Sequence, residues 1–408
     1  MLALAVAAKM LGWGEVVSLL EDSVDGFPVR AITHGALYHW FGYYEMPCFD
    51  AVGQRVLHLG ASFEDRPPRP EDTALIGLTD LARDTMVPLA RTWAFNWQQG
   101  SMLYWHPQAP DRVVLYNDRV GNVFRTMLLD VEHRQSRDLG PAHSDVGRLG
   151  QLALTLNYAR IAATRPGYGY AGPPDPWADL PYPEEDGVGL LDLSTGRWRL
   201  SVSLRQVSAD LAVDYDLGGA KLWFNHTLLN PSEPRYAFLA RWRPRGSQAW
   251  RTVMYTATPD GSELRRVPGE GMVSHFCWRD DEHLLVWTSI EGRGAHFYLV
   301  NVNTDAYTLV VPDQLLVDGH CSYSHDGRYI LTDTYPDPTD RKRTLMVYDT
   351  MHDQVTVLGR FLAPEAFDGE IRCDLHPRWS RDDRQVCFDS VHEGHRRVYV
   401  MDVSALWG

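Results

Sequence analysis

Hydrophobic and polar residues alternate along much of the chain with a period of two, which is typical of β-strands that bury one face. The alternation recurs in a unit made of an aromatic residue, a turn rich in Ser, Asp or Gly, and an apolar strand. Clear copies begin at Cys277, Ser322 and Arg378. Looser copies begin at Cys48, Tyr104 and Leu228, and a degenerate copy runs from Ser144 to Leu152. Each copy predicts a β-hairpin.

A second element also recurs, namely an apolar strand that ends in Asp or Asn. Six copies end at Asp80, Asp130, Asp192, Asn301, Asp349 and Asp402, and a weaker copy at Met254 fills the remaining gap. Seven units of two hairpins each would form seven four-stranded sheets, and 408 residues allow about 58 for each unit. The sequence therefore predicts an all-β fold, a seven-bladed β-propeller.

The ends of the chain predict how the ring closes. The strand that ends at Asp402 has no partner after it, so the strand near Val29 is expected to complete the last blade. We expect residues 27–408 to form this single domain and residues 1–26 to be a helical extension, although length alone would suggest two or three domains. Two insertions, residues 159–187 and 360–375, are too long for hairpin turns, and such loops commonly carry function.

Composition and charge narrow the function and the compartment. With 39 Lys and Arg against 53 Asp and Glu, the net charge of −14 excludes a general binder of nucleic acid or of anionic membranes. The five cysteines are an odd, widely spaced set, which favours free thiols over a disulfide framework. The N-terminus lacks the basic region of a signal peptide and is too short to span a bilayer. These features favour the cytoplasm.

Histidines occupy one register position in several repeats. His275, His320 and His376 each lie three residues before the aromatic residue of their unit, and His226 lies three before Leu229. Equivalent positions in adjacent blades share one level, so these side chains are expected to converge near the central axis. Two interpretations remain open: the histidines bind a divalent metal, or they were duplicated with the blades and bond to the next blade.

Other candidate residues are cationic or aromatic. No nucleophile elbow, P-loop, zinc-protease motif or dinucleotide fingerprint occurs, which leaves serine hydrolase, NTPase, zinc-protease and dinucleotide-binding interpretations without support. Arginines, histidines and tyrosines instead stand at blade starts and in the long insertion: His106, Arg165, Tyr168, Tyr170, Arg241 and Arg251. Singly, each is typical of a solvated surface or a packed loop. Together they indicate an anionic ligand, which a local cationic funnel would attract.

Several motifs resemble a known group of enzymes. The segments DGHCSYSHDGRYILTDTYPD, RCDLHPRWSRDDRQVCFDS, SHFCWRDDEH and FNHTLLNP are similar to the seven-bladed oligogalacturonate lyases, and they resemble the related ulvan-lyase-type propellers more closely. The segment RPGYGYAG, beginning at Arg165, resembles the related ulvan-lyase-type propellers. The resemblance runs from about residue 27 to the end and is most specific in the last four blades.

The resemblance implies a metal site. In the oligogalacturonate lyases, a histidine from a Ser-rich turn strand and a Gln-x-x-His-x-His run hold the metal. His320 matches the former; in the run, Cys373 stands for the glutamine, His376 matches, and Arg378 replaces the last histidine. This departure favours zinc with Cys373, with manganese or calcium as alternatives. The expected ligands are His275, His320, Cys373 and His376.

The resemblance also implies lyase chemistry on an acidic oligosaccharide. Such lyases cleave uronate-containing chains by β-elimination, in which a bound carboxylate makes the C5 proton more acidic. The residues expected to be catalytic are Tyr168, His106, His226 and Arg251. The residues expected to bind substrate are Arg165, Tyr170, Arg241 and His275. Two alternatives remain: a non-catalytic propeller that binds a glycan or a protein partner, and a glycoside hydrolase or epimerase on the same scaffold.

Overall fold

The computed structural model describes residues 26–311 and 314–407. The helical extension expected over residues 1–26 lies, except for Gly26, outside the described residues. The strands form seven four-stranded antiparallel sheets, each built from strands that meander up and down. The predicted all-β, seven-bladed β-propeller is confirmed.

The blades follow one another along the chain, and the first strand of each lies nearest the axis. The first blade comprises β2 (Tyr38–Trp40), β3 (Arg55–Ala61), β4 (Ala74–Asp80) and β5 (Thr85–Thr92). The second comprises β6 (Tyr104–Trp105), β7 (Val113–Val120), β8 (Val123–Asp130) and β9 (Gln135–Pro141). The third comprises β10 (His143–Val146), β11 (Leu152–Thr155), β12 (Gly187–Asp192) and β13 (Trp198–Ser203).

The remaining blades repeat this order. The fourth comprises β14 (Leu222–Leu229), β15 (Tyr236–Trp242), β16 (Arg251–Ala257) and β17 (Arg265–Arg266). The fifth comprises β18 (Val273–Trp278), β19 (His283–Ile290), β20 (Gly294–Asn301) and β21 (Tyr307–Leu309). The sixth comprises β22 (Ser322–Tyr323), β23 (Tyr329–Asp333), β24 (Lys342–Asp349) and β25 (Gln354–Leu362). The seventh comprises β26 (Arg378–Trp379), β27 (Gln385–Ser390), β28 (Arg397–Asp402) and β1 (Val29–Ala31).

The seventh blade closes the ring in the predicted way. The N-terminal strand β1 pairs antiparallel with the C-terminal strand β28, and Val29 lies opposite Met401. Pairing of the two termini gives β28 a partner on each side, so β28 is not left as a free outer edge of the blade.

The repeated Asp and Asn residues have a structural explanation. Each ends the third strand of its blade, and its side chain accepts hydrogen bonds from backbone N–H groups in the following turn. Asp80, for example, accepts from Ala82 at 3.1 Å and Arg83 at 3.0 Å. The same bonds occur after Asp130, Asp192, Asn301 and Asp349. A short acceptor side chain is what this turn needs.

Two repeated aromatic residues join one blade to the preceding one. The indole N–H of Trp105 donates to the carbonyl oxygen of Cys48 at 3.0 Å, and that of Trp278 donates to Leu228 at 3.1 Å. Both rings are buried, so each adds apolar contact area and satisfies its single polar atom. The aromatic position of the sequence repeat is therefore a contact between blades.

Short helices fill the connections. Helix α1 (Tyr158–Thr164) lies in the long insertion between β11 and β12, and Asn157 caps it. Helix α2 (Leu204–Leu211) follows β13 and begins with a capping box formed by Ser203 and Gln206. Single 3-10 turns span Gly369–Ile371 and Ser404–Trp407. Among the described residues, no helix is both long and apolar enough to cross a membrane.

Buried histidines make the fold sensitive to acid. Burial lowers the pKa of His58 to about 3 and that of His143 to about 4. Below pH 6.5 the unfolded chain binds protons that the folded chain excludes, so stability is complete above this pH and falls as the pH decreases. At pH 5 each residue should lower the free energy of unfolding by about 2 kcal/mol. Urea unfolding at pH 7.5 and pH 5 measures the difference.

A pair of variants isolates this contribution. His58→Gln removes one of the titrating groups and should reduce the loss between the two pH values by about 2 kcal/mol. His133→Gln, at an exposed turn position, should leave the loss unchanged. An equal pH dependence in wild type and His58→Gln would contradict the explanation.

Candidate functional site

Four histidines from four consecutive blades meet at the axis. The axial cluster consists of His226 in β14, His275 in β18, His320 just before β22 and His376 just before β26, all at most 6% exposed. The ring centroids of His275 and His320 are 4.1 Å apart, and those of His320 and His376 are 4.2 Å apart. The shared register position thus brings the side chains together.

The backbone is strained at two of these positions. His226 has a φ of 49° and His376 a φ of 43°, which is the left-handed region that residues with a Cβ rarely adopt. Such a conformation costs about 1–3 kcal/mol and persists where the surroundings impose it, often at functional sites. Each interrupts the regular strand geometry at the residue that enters the axial cluster.

Acidic residues orient three of the imidazole rings. Asp318 lies 2.8 Å from Nδ1 of His275, and Asp333 lies 2.8 Å from Nδ1 of His320. Glu45 lies 3.3 Å from Nε2 of His226. Burial lowers the pKa of His226 and His275, and a neutral ring retains a lone pair on one nitrogen.

One part of the axial cluster has the donor set of a metal site. The ligand atoms of His320, His376 and Asp374 all lie within 4.8 Å of one another. Nε2 of His320 and Nε2 of His376 are buried and make no hydrogen bond to the described residues. Burial lowers the pKa of His376 well below its usual range, which keeps its ring neutral. Two imidazoles and one carboxylate fit a divalent transition metal.

Cys373 lies outside this group. It packs with Phe367 and Val391 in a small apolar cluster, and burial raises the pKa of its thiol to about 12. Asp374 and His376 are two residues apart and therefore share a face of the extended chain, whereas Cys373 faces the other way. This alternation in the run CDLH was the signal in the sequence that could have identified Asp374.

Two arginines already neutralise Asp374. Its carboxylate lies 2.7 Å from Arg343 and 2.8 Å from Arg372, and it is fully buried. Burial alone would raise the pKa of Asp374, but these two guanidinium groups hold it well below its usual range. Arg372 also donates a hydrogen bond of 2.6 Å to the hydroxyl of Tyr168. The three charges leave this corner of the site with a net positive charge.

Residues 41–47, here called the axial segment, enter the site from the first blade. Strand β2 ends at Trp40, and pairing with β3 resumes only at Cys48, whose carbonyl oxygen accepts from Leu57. Between these points the chain leaves the sheet toward the axis. The carboxylate of Asp389 accepts the N–H groups of Phe41 at 3.0 Å and Gly42 at 3.2 Å.

A buried ion pair holds Asp389 in place. Arg378 donates to Asp389 at 3.0 Å and to the carbonyl oxygen of Gly42 at 3.3 Å, and both charged side chains are nearly fully buried. Arg378 occupies the position at which the resembling family has its last metal histidine. In this chain Arg378 instead positions the axial segment, through Asp389 and the carbonyl oxygen of Gly42.

The axial segment places two tyrosines and a glutamate among the histidines. The ring centroid of Tyr43 lies 5.0 Å from that of His226 and 5.1 Å from that of His376. The ring centroid of Tyr44 lies 5.1 Å from that of His320. Sequence reasoning missed Tyr43, Tyr44 and Glu45 because they fall in an interruption of the repeat, where no register position identifies them.

Cationic and aromatic side chains form the entrance of the site. The guanidinium carbon of Arg165 lies 4.5 Å from the ring centroid of Tyr168 and 4.1 Å from that of Trp250. The Arg165 side chain makes no hydrogen bond or ion pair with the described residues, and its Nε is buried. Arg241 bonds only to Thr252 and to a backbone carbonyl oxygen. Both positive charges therefore lack a carboxylate partner.

Three other expected site residues lie apart from this arrangement. His106 follows the end of β6, the innermost strand of its blade. The clustered histidines lie within or before the innermost strands of their own blades, so His106 lies at the opposite end of its blade. Arg251 begins the third strand of its blade and its exposed side chain lies over Tyr215. Tyr170 stacks on Tyr158 and accepts a hydrogen bond from Asn117, which makes it part of the packing of the insertion.

Comparisons with known proteins identify the fold. No protein-family model matches the chain, and no curated protein matches it. An oligogalacturonate lyase from Vibrio parahaemolyticus is 15% identical, with a TM-score of 0.67 over 94% of this chain and 95% of that chain. An oligogalacturonate lyase in complex with manganese is 17% identical, with a TM-score of 0.66 over 95% and 96%.

A third solved structure is more distant. The β-propeller domain of the Trilobed protease from Pyrococcus furiosus is 11% identical, with a TM-score of 0.50 over 90% of this chain and 95% of that chain. Identities this low concern the fold alone. The resemblance to propeller lyases is thus confirmed in the architecture of the whole chain.

The ion pair beneath the axial segment should be essential for stability. Asp389→Ala leaves the Arg378 charge buried without a partner and removes the acceptor of two backbone N–H groups. We expect the free energy of unfolding to fall by about 3–5 kcal/mol, measured by urea denaturation. Glu263→Ala, which breaks an ion pair with a 60% exposed carboxylate, should change it little. Equal stability of both variants would contradict this assignment.

Proposed function

We propose that this protein is a lyase that cleaves short uronate-containing oligosaccharides by β-elimination. The observation that carries the proposal is the pair of unpartnered guanidinium groups, Arg165 and Arg241, at the entrance of the axial site. In a chain with net charge −14, carboxylates to neutralise them are abundant, yet none in the described part of the chain does so. A carboxylate on the substrate would complete this arrangement.

Electrostatics of the two arginines supports an anionic ligand. Burial and the positive charge of Arg165 together lower the pKa of Arg241 to about 10. Two like charges held together in a buried place are unfavourable until an anion binds between them. The aromatic faces of Tyr168 and Trp250, which flank Arg165, are also suited to the apolar faces of a sugar ring.

Tyr168 is the proposed base. Its oxygen accepts a charge-assisted hydrogen bond from Arg372, which orients the hydroxyl group. In the elimination, the phenolate takes the C5 proton, the C4–O bond breaks with its electron pair leaving on oxygen, and the C4=C5 double bond forms. The carboxylate on C5, neutralised by the arginines, stabilises the charge that develops at that carbon.

A divalent metal is the proposed cofactor, with His320, His376 and Asp374 as its ligands. The metal would add positive charge beside the arginines when bound. Zinc was favoured because of the expected Cys373 thiolate, and this donor set does not include Cys373. Manganese suits nitrogen and carboxylate ligands equally well. The manganese complex among the structurally similar lyases supports this choice.

The remaining expectations are adjusted accordingly. The proposal gives no role in catalysis to His106 or Arg251, because neither lies beside the arginines of the entrance. His226 packs against the ring of Tyr43, and Glu45 orients its imidazole ring. The proposal therefore treats His226 as part of the lining of the site. The five cysteines are free and buried, which supports the reducing cytoplasm as the location.

Incubation with oligogalacturonate, ulvan and glycosaminoglycan fragments should release unsaturated uronates, followed by their ultraviolet absorbance. Arg241→Gln and Arg165→Gln should each lower kcat/KM by about 100-fold, because each removes a charged partner of the carboxylate. Arg205→Gln, on the exposed side of α2, serves as the control. Binding of these glycans without any unsaturated product would contradict the proposal in favour of a non-catalytic propeller.

Metal analysis separates the two candidate ligand sets. His376→Ala and Asp374→Ala should each weaken metal binding by more than about 100-fold. Loss of a residue that only supports a ligand weakens binding by up to about 100-fold, so loss of a ligand itself should cost more. Cys373→Ala should bind as wild type does. Titration calorimetry with Mn²⁺ and Zn²⁺ and metal content by mass spectrometry provide the measurements. A Cys373→Ala variant that loses its metal would restore the cysteine to the site.

A further inference from the structure

Two adjacent tyrosines of the axial segment have different hydrogen bonds. The hydroxyl of Tyr44 donates to the carbonyl oxygen of Phe276 and accepts the N–H of the same residue, both at 3.2 Å. The hydroxyl of Tyr43 makes no hydrogen bond with any described residue, although only 5% of the side chain is exposed. Buried phenols usually have a partner. The hydroxyl of Tyr43 is therefore available to a ligand.

Tyr43 lies between the two halves of the proposed site. On one side its ring contacts His226 and His376 of the axial cluster. On the other side are Arg241, Tyr168 and Tyr335, all near enough to influence its ionisation. In a uronate, C5 carries the carboxylate and C4 is the next ring carbon. A group beside the arginines that hold the carboxylate is therefore also near the C4 oxygen.

The surroundings of Tyr43 suit an acid rather than a base. The ordinary pKa of a tyrosine is about 10, and burial disfavours the charged phenolate. The phenol therefore keeps its proton at neutral pH. Tyr168, by contrast, accepts a hydrogen bond from the Arg372 guanidinium. Two like groups in different environments can thus take opposite roles in one reaction.

We propose that Tyr43 is a catalytic residue, the general acid that gives its phenolic proton to the departing C4 oxygen. The inference rests on the lyase function proposed above. As the C4–O bond breaks, the O–H bond of Tyr43 passes its proton to that oxygen, and the product leaves with a free hydroxyl. The resulting phenolate lies near the positive charge of Arg241 and regains a proton from solvent. The C5 proton goes to Tyr168, so one proton is taken and one is given.

Tyr43→Phe and Tyr116→Phe form a matched pair for the test. Tyr43→Phe removes a hydroxyl without a partner among the described residues, so the melting temperature should stay within about 2 °C of wild type. Its kcat on an oligouronate should fall by about 100-fold or more, the usual contribution of general acid catalysis, with little change in KM. Tyr116→Phe, in β7, removes a hydrogen bond of 2.9 Å to Ser136, so it should lower the melting temperature but keep kcat within a few-fold of wild type.

A substrate with a better leaving group tests the acid role itself. An oligouronate analogue with a 4-nitrophenyl ether at C4 releases a stable phenolate, which needs no proton from the enzyme. On this analogue Tyr43→Phe should approach the wild-type kcat. A merely structural role would lower kcat equally on both substrates, and that result would overturn the inference. So would a Tyr43→Phe variant that cleaves the natural oligouronate at the wild-type rate.

The wild-type enzyme distinguishes the two levels of the argument. If wild type forms unsaturated product but Tyr43→Phe is unaffected, the assignment of Tyr43 fails and the lyase function stands. If wild type forms no unsaturated product from any of the uronate glycans, the proposed function fails and the assignment of Tyr43 fails with it.

Discussion

Closure of the ring is the constraint on which the site depends. The pairing of β1 with β28 completes the seventh blade and brings its inner strands against the first blade. Across that junction, Asp389 of the seventh blade accepts backbone N–H groups of the axial segment, and Arg378 donates a hydrogen bond that holds Asp389 in place. Because a buried charge requires its partner, the junction has one favourable arrangement. The contact that joins the first and last blades therefore also positions Tyr43, Tyr44 and Glu45.

An acidic protein forms a cationic site by separating its charges. Most blades use an Asp or Asn in the turn after the third strand, where the side chain accepts backbone N–H groups in a solvated place. At the axis the balance is reversed, since two arginines share Asp374, and Arg165 and Arg241 have no acidic partner within residues 26–311 and 314–407. The net charge of the chain therefore describes its turns and surface, while the local charge at the axis decides which ligand can bind.

The axial cluster is almost fully buried, and this burial determines how its groups ionise. Burial keeps His226 and His376 neutral and their nitrogen lone pairs free, while the same burial keeps Tyr43 protonated. A direct charged partner can act against burial, as the two arginines do at Asp374. One low-dielectric pocket thus holds neutral bases, a neutral acid and an ionised carboxylate at the same pH.

The sequence by itself determined the repeated features of this protein. Turn residues, aromatic contacts between blades and the alternation of strands are local and recur from blade to blade, so their period revealed the propeller, its closure and the level of the axial histidines. Only the tertiary structure decided which neighbours complete the site. Asp374 rather than Cys373 faces His376, Arg241 rather than Arg251 lies at the entrance, and the axial segment leaves its strand without any repeat to announce it. These features depend on contacts between residues up to 348 positions apart, as between Phe41 and Asp389, and no local pattern records such contacts.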